Sequence, residues 1–175
     1  MPHPSLRIGF IGAGRLGTAL AWSFARRGCG VVAVASRSAA PARRLADGIA
    51  GCAVGDAQAV VDASDLVFVT TPDDALARVA AALRWRRGVA AVHCSGASEL
   101  AVLAPAADAG AAVGGFHPLQ SFAETEAAIA SLPGCTITIE ADEPLRAALA
   151  ALAGALGCHV NLLPPGARAL YHAAA

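Results

Sequence analysis

The residues best suited to chemistry come early. Gly12-Ala13-Gly14-Arg15-Leu16-Gly17 follows the apolar run Ile8-Gly9-Phe10-Ile11 and precedes the helical run Thr18–Arg27. A GxGxxG alone is a weak signal; between a strand and a helix it is strong. Gly12 permits a tight turn, Gly14 lets the backbone approach a pyrophosphate, and Gly17 lets the helix pack close to the strand. The helix start, with Arg15 and Leu16 in its first turn, offers free N–H groups and the positive end of a dipole.

The second strand should end near Val34-Ala35-Ser36-Arg37-Ser38, and no acid occurs before Asp47. An Asp or Glu there would bind a ribose 2′-hydroxyl. Ser36, Arg37 and Ser38 instead offer hydroxyls and a guanidinium suited to a 2′-phosphate, with Arg15, Arg43 and Arg44 adding to the field. The cofactor expected is therefore NADP.

Further along, Thr71 and Pro72 follow the buried run Leu66–Thr70, where ligands bind in open α/β sheets. Asp73 or Asp74 would cap the next helix. Cys94-Ser95-Gly96-Ala97-Ser98 follows Val89–His93. Ser95 and Gly96 would admit a nicotinamide or hold an anionic substrate through backbone N–H groups. Ser98 with Glu99 equally reads as a helix start. Phe116-His117-Pro118-Leu119-Gln120-Ser121 closes another strand. His117 is either an acid/base group or a structural residue beside proline. Ser95 and His117 are the catalytic candidates, and Ser95, Gly96, His117 and Gln120 the substrate-side ones. His93, inside an apolar run, reads as core. There is no GxSxG, HExxH or P-loop, and no metal is expected.

The elements that position these groups alternate. Expected strands are Leu6–Ile11, Val31–Ala35, Cys52–Val54, Leu66–Thr70, Val89–His93, Ala112–Phe116, Thr136–Glu140 and His159–Leu163. Expected helices are Arg15–Arg27, Pro41–Asp47, Ala57–Ala63, Asp74–Arg84, Glu99–Ala109, Glu124–Ser131 and Glu143–Leu156. The alternation predicts an α/β fold: a doubly wound, mostly parallel Rossmann-like sheet, with a small β-rich extension after about residue 110. Residues 1–165 form one nucleotide-binding domain. The run Ala167–Ala175 starts a helix that stops with no C-cap Gly or Pro. Its end is expected to fray after about Pro165 and to leave apolar surface exposed.

Composition narrows the class. The chain has 175 residues, 56% hydrophobic and 15% charged, with mean hydropathy +0.56 and net charge +0. Alanine makes up about a quarter of it. Long disorder is excluded, and no global field recruits nucleic acid or an anionic membrane. All thirteen bases are Arg, so no lysine serves as a Schiff base or proton donor. Seven of these Arg, and no acid, precede Asp47. The five cysteines are odd in number and lack metal-ligand spacing, which suits plain thiols in a reducing cytoplasm. No signal peptide is read, and the uncharged stretch Ala147–Ala167, broken by Gly, His, Asn and a Pro pair, reads as a buried helix plus strand, not a membrane span.

Five segments together resemble a known family: Gly9–Gly17, Thr70–Asp73, His93–Ala97, His117–Phe122 and Tyr171–Ala175. The chain is similar to NADP oxidoreductases with an N-terminal Rossmann-like domain and a C-terminal helical domain of unknown function (family 2520). These are often labelled deazaflavin-dependent and fall in the 6-phosphogluconate dehydrogenase-like group. The resemblance implies a small-molecule substrate near Ser95 and His117. It also implies a C-terminal domain that completes the site and forms a homodimer. A non-catalytic NADP(H)-sensing module and a site for an adenosyl cofactor are the alternatives from other classes.

Overall fold

The computed structural model describes residues 6–122, 124–164 and 166–174. Eight strands form one sheet: β1 Arg7–Ile11, β2 Gly30–Ala35, β3 Ala53–Val54, β4 Leu66–Val69, β5 Ala90–His93, β6 Ala112–Pro118, β7 Thr136–Ala141 and β8 His159–Leu162. The helices are α1 Arg15–Arg26, α2 Ala39–Asp47, α3 Ala57–Ala63, α4 Asp73–Ala81, α5 Ala104–Asp108, α6 Thr125–Ser131, α7 Leu145–Ala155 and α8 Arg168–Ala174. A 3-10 turn at Leu100–Leu103 leads into α5, where the sequence suggested one continuous helix. Pro105 explains the break, because its ring removes an N–H and suits only a first helical turn.

The strand order is β3-β2-β1-β4-β5-β6-β7-β8, parallel except between β6 and β7. The strands after residue 110 therefore extend the same sheet. Period-two alternation sends each central strand into two cores. Leu66 and Phe68 of β4 join Phe10, Phe24 and Phe116 on the face covered by α1, α2 and α7. Val67 and Val69 join Val60, Leu76 and Leu103 on the other face. With both faces covered, β4 and β5 are buried at every residue, as parallel strands require.

The terminal helix departs from expectation. α8 does not hang free: Arg168 is 0% exposed and seated against the sheet. Leu170, by contrast, is 78% exposed, and all of β8 is exposed at the sheet edge. Cys135 and Cys158, far apart in sequence, also meet, with sulfurs 3.6 Å apart at the starts of β7 and β8.

Candidate functional site

Strand order reverses between β1 and β4, which opens a crevice at their carboxyl ends. Gly12 leaves β1 with φ +117°, a conformation that side chains disfavour, and its N–H donates to the Ala35 carbonyl at 2.8 Å. The Thr70 hydroxyl donates to the Gly12 carbonyl at 2.8 Å, tying the turn to β4. A Cβ at Gly17 would strike the Gly12 carbonyl, so α1 reaches the strand only because residue 17 has none. Gly14 differs: a Cβ there meets nothing within 4 Å. It also stands at the N-cap of α1, with no side-chain cap, so the helix start faces open space. Arg37 and Ser38 are exposed and Ser36 half-buried just past β2, beside this turn. The residues present thus fit a dinucleotide: an uncapped helix start at Gly14 stands beside the hydroxyls and guanidinium of Ser36, Arg37 and Ser38. Thr71 and Pro72 stand at the exit of β4, across the crevice, and the Thr71 hydroxyl is buried without a partner among the described residues.

Next to the crevice lies a cleft of about 630 Å³, lined by residues that include Asp73, Ser95, Gly96, His117, Gln120 and His172. The substrate-side candidates therefore converge on one cavity. Their roles differ from what the sequence suggested. The Ser95 hydroxyl donates to Asp73 Oδ2 at 2.7 Å and accepts from the N–H groups of Ala97 at 3.1 Å and Ser98 at 2.9 Å. Its one proton and both lone pairs are committed, so it shapes the loop rather than offering a proton. Asp73 or Asp74 was expected to cap α4; Pro72 takes the N-cap position without a side-chain bond, and Asp73 turns into the cleft to hold Ser95. The Gln120 amide donates to the Ala128 carbonyl at 2.9 Å, which pins it to α6.

His117, on β6, has Nδ1 2.8 Å from the Tyr171 hydroxyl. Gly96 makes room for it, because a Cβ there would come within 2.7 Å of the ring. Burial pushes the His117 pKa below its ordinary value, and the charge on Arg168 lowers it further, while Asp73 opposes the shift. Behind the cleft, Arg168 of α8 donates from Nε to Glu140 Oε2 at 2.8 Å and from Nη1 to the Ser95 carbonyl at 2.7 Å. Gly115 leaves the space its guanidinium occupies. Tyr171, Arg168, Glu140 and the cleft role of Asp73 were not found from the sequence. Asp73 and Tyr171 lie in segments that carry the family resemblance, and Glu140 in the expected strand Thr136–Glu140, but nothing in the sequence brings them to the cleft.

His93 is core, as expected, and accepts from the Ser95 N–H at 3.2 Å through Nδ1. Its pKa is pushed down to about 3, first by burial and then by Arg168 and His117. The unfolded chain, with an ordinary value of about 6.5, binds this proton more readily. Stability from His93 is therefore complete above about pH 6.5 and declines as pH falls toward 3. At about pH 5 this group alone is expected to cost about 2 kcal/mol. Urea unfolding at about pH 7.5 and about pH 5 checks it: His93→Asn should weaken the pH dependence, and an unchanged dependence would contradict the assignment.

The fold and the crevice define a class, the dinucleotide-binding α/β proteins with the ligand at the sheet's switch point. The chain belongs to the Rossmann-like domain family, whose model matches residues 1–118. No curated protein matches it in sequence. Among solved structures, it is similar to a Bacteroides fragilis protein provisionally described as an NADP oxidoreductase, with 27% identity, TM-score 0.83, and coverage of 98% of this chain and 65% of that one. A reductive aminase of Aspergillus terreus, solved with NADPH and ethyl-5-oxohexanoate, shares 21% identity and TM-score 0.79, over 97% of this chain and 59% of that one. A Synechocystis arogenate dehydrogenase shares 19% identity and TM-score 0.75, over 93% of this chain and 61% of that one. The chain thus spans about three-fifths of the length of these structures. No helix among the described residues is long and apolar enough to cross a membrane.

Proposed function

We propose that this chain is the dinucleotide-binding part of an NADP-dependent oxidoreductase acting on a small molecule held in the cleft. The observation that carries this reading is the open space at Gly14 over an uncapped helix start, beside Ser36-Arg37-Ser38 and within the same sheet edge as His117. A bound nicotinamide would supply or accept the hydride. Gly14–Gly17 would hold the pyrophosphate, Arg37 the 2′-phosphate, and Thr71 and Pro72 the far side of the crevice. His117 would move the proton, while Ser95 and Asp73 keep the loop in shape and Gly96 and Gln120 bound the substrate space. The neighbour solved with NADPH supports the cofactor.

On the same reading, residues 1–165 are the cofactor domain and residues from Gly166 onward begin a helical domain of the family-2520 type. The greater length of the solved neighbours supports this. That domain would complete the site and the homodimer, and the five thiols suit a reducing cytoplasm.

The test is a fluorescence titration with NADPH and NADH. Tighter binding of NADPH is expected, and Arg37→Ala should erase most of the preference. A charge-assisted contact to a 2′-phosphate contributes about 1.5–3 kcal/mol, roughly ten-fold or more in affinity. Equal affinity for the two cofactors in the unsubstituted chain would refute the assignment.

A further inference from the structure

The two ring nitrogens of His117 are treated unequally. Nδ1 meets the Tyr171 hydroxyl at 2.8 Å, and the rings pack edge to face at 84° with centroids 5.7 Å apart. Nε2 has no protein partner among the described residues and lies on the ring edge that Gly96 accommodates. Tyr171 belongs to α8, which is seated by Arg168 on Glu140 and the Ser95 carbonyl. One buried ion pair therefore holds both the loop under the cleft and the hydroxyl beside His117.

A hydroxyl next to an imidazole nitrogen either donates or accepts. The Tyr171 hydroxyl has no other acceptor among the described residues. A phenol is a strong donor and a bare imidazole nitrogen a strong acceptor, which favours Oη–H donating to Nδ1. We propose that Tyr171 holds His117 as the neutral tautomer with its proton on Nε2, which sets the cleft to reduce a polarised C=O or C=N group rather than to deprotonate an alcohol or amine. This rests on the hydride-transfer reading above. In the step, the substrate carbon gains the hydride of a reduced nicotinamide and its C=X π bond opens. The Nε2–H bond breaks as the X–H bond forms, while the Tyr171 O–H bond breaks as Nδ1–H forms. Solvent then restores a proton to Nε2 as the Nδ1 proton returns to Tyr171. Tyr171 acts through His117 and is a positioning residue that also relays a proton.

The groups facing His117 are Asp73 at the start of α4, His93 of β5, Arg168 and His172 of α8, and Glu140 of β7, which Arg168 pairs. Arg168 and His172 favour the neutral ring and Asp73 opposes them.

The test is long-range proton–nitrogen correlation NMR on the chain labelled with ¹⁵N-histidine, with no ligand, using His117→Gln for assignment. The expected result is a protonated Nε2 and a hydrogen-bonded Nδ1 at about pH 7.5. Tyr171→Phe should raise the His117 pKa, by roughly one pH unit, because a lost donor no longer favours the neutral form. A hydroxyl that accepted from Nδ1–H would give the opposite sign. A dominant Nδ1–H tautomer in the unsubstituted chain, or a pKa that falls or stays put in Tyr171→Phe, overturns the proposal. A parallel NADPH titration separates the two claims: an Nε2–H tautomer without NADPH binding would overturn the reductive assignment through its cofactor and leave the tautomer intact.

Discussion

Arg168→Met is expected to destabilise the chain by about 3–5 kcal/mol, the usual cost of leaving one member of a buried ion pair alone. Glu140 is 4% exposed, and its carboxylate faces Arg168 Nε and Nη2, both at 2.8 Å. With methionine at 168 the volume is largely filled, so the loss measures the stranded charge and the missing bond to the Ser95 carbonyl rather than a cavity. For a domain of this size each kcal/mol moves the melting temperature by about 2–4 °C, so a drop on the order of 10 °C is expected. The double variant Arg168→Met/Glu140→Leu should recover much of that loss, because well-packed apolar side chains often replace such a pair at little cost. Thermal and urea unfolding of the three chains checks this. A single variant within about 1 kcal/mol of the unsubstituted chain would mean that water reaches Glu140 and that this pair does not seat α8.

Gly14→Val should leave the fold intact and strongly weaken cofactor binding. A Cβ at residue 14 meets no atom within 4 Å, and the backbone there is extended, at φ −77° and ψ −176°, which suits valine. The added methyls project into the space where a pyrophosphate would approach the first turn of α1. Affinity for NADPH should fall by on the order of 100-fold, about 2.7 kcal/mol. Gly17→Ala is the instructive contrast, since its Cβ strikes the Gly12 carbonyl and disturbs the turn itself. Calorimetric titration with NADPH, alongside a melting curve, distinguishes the two variants. Unchanged affinity in a folded Gly14→Val chain would place the ligand elsewhere.

Much of the fold could be read from the chain because its determinants are local. Each of the eight strands lies within two residues of its expected bounds, since apolar runs and the polar or small residues around them act over a few positions. The same holds for the turn at Gly12–Gly17, whose residue types follow from what a tight turn and a close helix demand. Helix starts were less legible. Asp73 and Asp74 could each cap α4, and only the neighbouring strand, which brings Ser95 within 2.7 Å of Asp73, draws that carboxylate away from capping.

By itself the sequence determined the doubly wound class, the glycine turn and the absence of an acid after β2, because each is written in residue type and short-range spacing. It also brought Ser95 and His117 under suspicion, as hydroxyl and imidazole at the carboxyl ends of adjacent strands. What each does was decided by tertiary structure. Whether Ser95 can give up its proton depends on Asp73, and the tautomer of His117 depends on Tyr171, 54 residues away. The seat of Tyr171 depends in turn on Arg168 reaching Glu140 through the space that Gly115 leaves. Strand order and register create those meetings, and no periodicity along the chain encodes them. A buried arginine and glutamate look in sequence like any solvated charges, because only the packing around them removes the water.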